Sequence, residues 1–147
     1  MTLANLLRIG RLKEHQTDAA EIHKLLNAAR RNLRDSRIHQ VSPETRFDAA
    51  YKAIMQVALA ALMANGYRPD TNSPGHHMTV LQSLPKTIGL ANERMVVLDA
   101  LRRRRNLSDY TGEDVDDSFA VNCTHEAGVL LKDVAAWLAL SHPELMS

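Results

Sequence analysis

The chain has 147 residues, of which 45% are apolar and 24% charged, and a formal net charge of +1. That is one domain's worth of chain, long enough to bury a sizeable core without staples. The near-neutral balance excludes a wholly basic polyanion binder, so any contact with nucleic acid must rest on a local patch.

Residues 1–16 read as an N-terminal extension with a short helix, because Leu3, Leu6, Leu7 and Ile9 cluster before Gly10. Arg8, Arg11 and Lys13 interrupt any leader-like apolar run. No stretch of about 18 apolar residues follows, so no membrane partner is expected. Thr17 or Asp18 caps the next helix, whose stripe of Ile22, Leu25, Leu26, Ala29 and Leu33 has helical spacing to about Ser36. Arg30, Arg31, Arg34 and Arg37 crowd its end, where cations complement the free carbonyls.

Ser42-Pro43-Glu44 is a helix start: a capping serine, a proline in the first turn and an acid beside them. Phe47, Ala50, Tyr51, Ile54, Val57, Ala58, Ala61 and Leu62 follow, and Asn65-Gly66 stops the helix. Rich in alanine, it should be the central packing element, since small side chains let neighbours approach closely. After a Pro/Gly-rich loop, Gly75-His76-His77 opens a short helix that Pro85 stops. Its successor spans about residues 88–108, a turn follows at Tyr110-Thr111-Gly112, and a last helix covers about residues 113–139. Phe119, Cys123, Ala127, Leu130, Leu131, Val134, Trp137 and Leu138 form its inner face. Pro143 ends the ordered chain, within a C-terminal tail of residues 140–147. No segment alternates with period two for long enough to make a strand. The expectation is an all-α, up-and-down bundle of four long helices and a short one, in a single domain over residues 17–139.

Metal chemistry finds no support in the residues. Adjacent His76 and His77 diverge by about 100° on a helix, and the Glu-x-x-His pattern of metal-binding bundles is missing. Glu113, Asp114, Asp116 and Asp117 match no calcium loop. Neither a metal nor a cofactor is therefore expected. Cys123 reads as a small core residue rather than a nucleophile. As the single cysteine it leaves no internal disulfide, which suits a reducing cytoplasm.

The informative stretch is Arg102-Arg103-Arg104-Arg105-Asn106, with Tyr110 four residues beyond the asparagine. On a helix, Arg105 falls about 20° and Arg102 about 40° from Leu98, inside the apolar stripe, whereas Arg103 points to water. Charges on a packed face need partners. Either the acids from Glu113 to Asp117 pair with them, making the cluster structural, or they line a cleft that receives an anion.

Arg105-Asn106-x-x-x-Tyr110, together with the Ser42-Pro43 helix through Arg46, Ala50-Tyr51 and Ala53 and the Gly75-His76-His77 start, resembles the HEPN family (higher eukaryote and prokaryote nucleotide-binding domains) over about residues 17–139. The resemblance implies a small α-bundle, commonly a homodimer, from toxin–antitoxin, phage-defence or RNA-processing settings. Many members are metal-independent ribonucleases built on an arginine, a polar residue and a histidine four to six residues after the arginine. Arg105 and Asn106 match the first two places, and Tyr110 stands where the histidine falls. A phenol, titrating at about pH 10, is a poor base at neutrality but can donate a hydrogen bond. The resemblance therefore implies a cytoplasmic protein binding RNA or nucleotide phosphate through Arg102, Arg105, Asn106, Tyr110 and His76, with little or no cleavage. An active toxin-type ribonuclease using Arg105 with Tyr110, His76 or His77 is the alternative, as is a helical protein-interaction module. Its expected partners are a second copy with the Arg102 and Tyr110 ends in a shared cleft, RNA or a nucleotide, and a nucleotidyltransferase-like antitoxin.

Overall fold

The computed structural model describes residues 2–147. Among these residues it contains seven α-helices, a two-stranded ribbon and a terminal 3-10 turn, so the fold is all-α in substance. The helices are α1 (Leu3–Arg8), α2 (Ala19–Ser36), α3 (Pro43–Ala64), α4 (His76–Gln82), α5 (Leu84–Thr87), α6 (Asn92–Thr111) and α7 (Asp117–Ser141).

Three of the four long helices begin where a side chain satisfies a free amide; α6 follows Ala91 and has no side-chain cap. Asp18 accepts from the Glu21 amide at 2.8 Å, Ser42 from Thr45 at 3.2 Å and Asp116 from Phe119 at 2.9 Å. In the last case the amide of Phe119 holds the Asp116 carboxyl below its usual range.

α3 is the axis of the core, buried along Phe47, Ala50, Tyr51, Ala53, Ile54, Val57, Ala58, Ala60, Ala61 and Leu62. α2 lies against it through Ile22, Leu26, Ala29 and Leu33, and α7 through Ala120, Cys123, Ala127, Leu130, Val134 and Leu138. Both stripes step by three and four residues, the spacing that keeps one helical face on its neighbour. Alanines at the contact let the axes close up. α3 is also long and apolar enough by composition to cross a bilayer, yet most of its surface is covered by its neighbours.

Several boundaries depart from the sequence expectations. A ribbon does form: β1 (Leu12–Glu14) pairs antiparallel with β2 (Tyr67–Pro69), Leu12 opposite Pro69. Three residues are too few for a period-two signal, and the pairing needs the long-range meeting of the chain start with the loop after α3. Pro85 does not stop a helix but sits in the first turn of α5. Residues 88–91 precede α6, with Gly89 at φ +72°, and α7 begins after an Asp116 cap rather than at about residue 113. Tyr110 and Thr111 are helical, because α6 runs on until Gly112 takes the left-handed conformation at φ +69°. Pro143 is followed by an ordered 3-10 turn, Pro143–Met146, whose Leu145 is buried near α2 and α7.

α6 belongs to the periphery. It buries Leu98, Asp99 and Leu101 and rests chiefly on α4. Its outer face leaves Val96, Leu107 and Tyr110 in solvent.

Candidate functional site

A cleft of about 550 Å³ opens between α3, α4 and α6. α3 supplies Asp48, Tyr51, Lys52, Met55, Gln56 and Leu59, residues three and four apart that share one helical face. α4 supplies His76, His77 and Val80, α6 supplies Arg105, and Pro69 and Thr71 close the side. The start of α4 turns both histidines inward after Gly75, whose φ of +76° only glycine adopts cheaply.

Three side chains define the electrostatics. The Arg105 guanidinium lies 5.0 Å from the centre of the Tyr51 ring, a cation–π contact over the inner wall. Its carboxylate partners, Asp48 at 3.9 Å and Asp109 at 4.0 Å, form long ion pairs beyond hydrogen-bond length. The Tyr51 hydroxyl meets His77 Nδ1 at 3.3 Å. Burial pushes the Tyr51 phenol up to about 12, against the pull of Arg105, so it stays protonated. Burial also holds His77 below the usual histidine range, helped by the neighbouring His76 and Arg105. A neutral His77 that accepts from Tyr51 at Nδ1 carries its proton on Nε2 and is itself a donor. The His76 ring stands edge-on to it, 4.8 Å between centres. Asp48 is raised from its ordinary value, burial outweighing the attraction of Arg105. Arginine, lysine and a histidine donor beside one carboxylate favour an anionic ligand.

The rest of the arginine run is already paired. Asp99, buried in the α6 core face, accepts from Arg102 Nε at 2.7 Å and has Arg103 Nε at 3.3 Å. Arg104 donates to Glu113 at 3.2 Å and to the Asp114 carbonyl at 3.0 Å, and its guanidinium covers the Phe119 ring at 4.7 Å. Asp117 reaches back to the buried Arg46 of α3. Of the acids from Glu113 to Asp117, Glu113 thus serves Arg104 and Asp117 serves Arg46, rather than Arg102 or Arg105.

The residues proposed from sequence divide accordingly. Arg105, His76 and His77 come together in the cleft; Arg102, Asn106 and Tyr110 do not line it. Tyr110 is 92% exposed. Because α6 continues through it, five residues of helix turn it about 140° away from Arg105. Arg102 faces inward as its wheel position requires, but Asp99 holds it. Asp48, Tyr51, Lys52 and Gln56 were missed. Their signal was a polar residue every fourth position, 48, 52 and 56, in an otherwise alanine-rich helix. Cys123 is fully buried, and burial pushes its thiol up to about 12, as a core position would. No three His, Cys, Asp or Glu side chains gather among the described residues as a metal site would need.

No family model, no curated protein and no solved structure matches this chain.

Proposed function

We propose that this is a HEPN-type helical protein that binds RNA or nucleotide phosphate in the α3–α4–α6 cleft. The observation that carries the reading is the state of Arg105. It alone of the four consecutive arginines lines the cleft, and its nearest carboxylates stand at 3.9 Å and 4.0 Å. A phosphate oxygen can take the planar donor fork that those carboxylates leave open. Lys52 adds charge and neutral His77 adds a donor. Resemblance in helix order to the HEPN family supports the nucleic-acid side of the reading.

The test is binding of a fluorescent single-stranded RNA to the full chain, wild type beside Arg105→Ala, across a salt series. Wild-type affinity should fall steeply as salt rises, and the variant should bind at least tenfold more weakly at low salt. Equal affinities would overturn the reading.

A second reading, metal-independent cleavage, is favoured by the paired imidazoles beside Arg105. His77 is engaged at Nδ1 by the Tyr51 hydroxyl, which leaves His76 as the candidate base. Cutting on a denaturing gel in EDTA, lost in His76→Ala and Arg105→Ala, would establish it. An uncut RNA that still binds would restrict the protein to binding.

Self-association is part of the proposal. Val96, Ala100, Leu107 and Tyr110 are exposed on the outer face of α6, with steps of four, seven and three residues and the exposed Arg103 among them. A second copy packing there would cover them, with the clefts on the opposite side of each α6. Light scattering at tens of micromolar should give a dimer that Leu107→Glu dissociates; a monomer would contradict it.

A further inference from the structure

A smaller pocket of about 160 Å³ lies where the α2–α3 turn meets α7, lined by Ser36, Arg37, His39, Arg46, Val121 and Thr124. Arg46 and Asp48 are two residues apart, about 200° around α3, so this pocket and the cleft open on opposite faces of that helix. Two arginines and a histidine border it, and no carboxylate does. Arg46 is buried, at 4% exposure. Asp117 pairs with one end of its guanidinium, and its Nε–H has no acceptor among the described residues. A buried donor left unpaired costs about 1–3 kcal/mol, so the position favours an acceptor that the chain does not supply.

Among the described residues no carboxylate pairs with Arg37. Its guanidinium nevertheless lies over α7, where a methyl group at Gly128 would stand 3.5 Å from Nη2. Thr124, one turn before Gly128, donates to Ser36 Oγ at 3.1 Å, and Ser36 donates to the Leu33 carbonyl at 2.6 Å. The hydroxyl hydrogens are thus engaged within the protein, tying α7 to α2 beside the pocket. The donors left for a ligand belong to the two arginines and His39.

We propose that this pocket binds a phosphate-sized tetrahedral oxyanion, held by Arg37 and Arg46 with His39 beside them. The site is independent of the cleft and of Arg105. Size sets the ligand class: roughly 300–1,000 Å³ is usual for a drug-sized ligand, so the pocket excludes a nucleoside and admits a bare phosphoryl group. A guanidinium meets such a group with its planar donor fork. Free orthophosphate offers this chemistry, and so does the terminal phosphate of an RNA strand whose nucleosides stay outside. An internal phosphodiester, flanked by sugars on both sides, does not fit.

The experiment is an NMR titration of the full chain with sodium phosphate at constant ionic strength, following backbone amides. Wild type should show saturable shifts at Arg37, His39 and Thr124. Arg105→Ala should keep them with the same midpoint, which separates this pocket from the cleft. Arg37→Ala, at an exposed position, should fold as wild type does and raise the midpoint about tenfold. Arg46→Lys, which keeps the charge for Asp117 and removes the guanidinium fork, should raise it in the same direction. Absence of saturable shifts at these amides would overturn the proposal, as would a midpoint within twofold of wild type in either pocket variant. A response that disappears in Arg105→Ala would assign the anion to the cleft and overturn it too. A short RNA carrying a terminal phosphate, beside its hydroxyl-ended twin, distinguishes the sources. Tighter binding of the phosphorylated strand at the same amides assigns the pocket to a strand end, and a response to free phosphate alone assigns it to the free anion; the oxyanion site stands in both.

Discussion

The slab made by α2, α3 and α7 and the edge helix α6 are built on opposite terms. In the slab, stripes of leucine, isoleucine and alanine interlock around α3, and buried polar residues there are few. α6 buries three residues, one of them Asp99, and spends its length arranging charge. The slab supplies the core and, through the outer face of α3, one wall of the cleft, and α6 brings the charge of Arg105 to that wall. The same contrast repeats at one residue's spacing within the arginine run: Arg104 folds onto acids and an aromatic ring, and Arg105 faces the cleft.

The contrast is broken most severely from the core side. Phe47 is 1% exposed at the centre of the slab. Phe47→Ala should cost about 3–5 kcal/mol, read from the denaturant midpoint, and the fraction that stays folded should bind RNA with unchanged affinity. If binding fell in step with stability, core and cleft would not be separable.

Asp99→Ala probes the edge helix next. It strands Arg102, which is largely covered, and should cost about 2 kcal/mol, with α6 losing hydrogen-exchange protection before α3. Gly112→Ala is smaller. The added methyl group meets nothing within 4 Å, so the left-handed backbone at φ +69° is the whole penalty, about 1 kcal/mol in a thermal melt.

The finest distinction is in pH. His77 is held below its ordinary value of 6.5 by burial, so the unfolded chain takes up its proton first as pH falls. Stability should therefore decline as pH is lowered through about 6.5 and be fully recovered above it. His77→Asn should flatten that part of the profile. An unchanged profile would mean that His77 is not shielded in the cleft.

How much of this could be read beforehand follows from the range of each signal. Ser42-Pro43 and Asn65-Gly66 mark the two ends of α3 because capping chemistry acts within three or four residues. The stripes of α2 and α7 were legible for the same reason, since periodicity is carried within one helix. The inward setting of Arg102 and Arg105 also followed from the wheel. The Asp99 partner of Arg102 lies three residues away on the same helix, within local range, whereas the meetings of Arg104 with Glu113 and of Arg105 with Tyr51 depend on how the chain turns and the helices pack. The end of α6 lies three residues past the expected boundary, and that extra helix sets Tyr110 in solvent, outside the cleft lining. The Leu12–Pro69 ribbon and the Asn32–Gln56 contact join residues far apart in the chain, and no local pattern announces them. Tyr51 was recognised as core, but its hydroxyl's meeting with His77 depends on where α4 docks.

The central claim is that neighbouring arginines of one run have separate duties, and a paired substitution tests it directly. RNA-binding isotherms and thermal melts should be recorded for Arg104→Ala and Arg105→Ala beside the wild-type chain, at one low salt concentration. Arg104→Ala should lower the melting temperature and bind as wild type does. Arg105→Ala should melt within a degree or two of wild type and lose at least tenfold in affinity. Equal losses of affinity in the two variants would contradict the account and return the run to a diffuse basic patch.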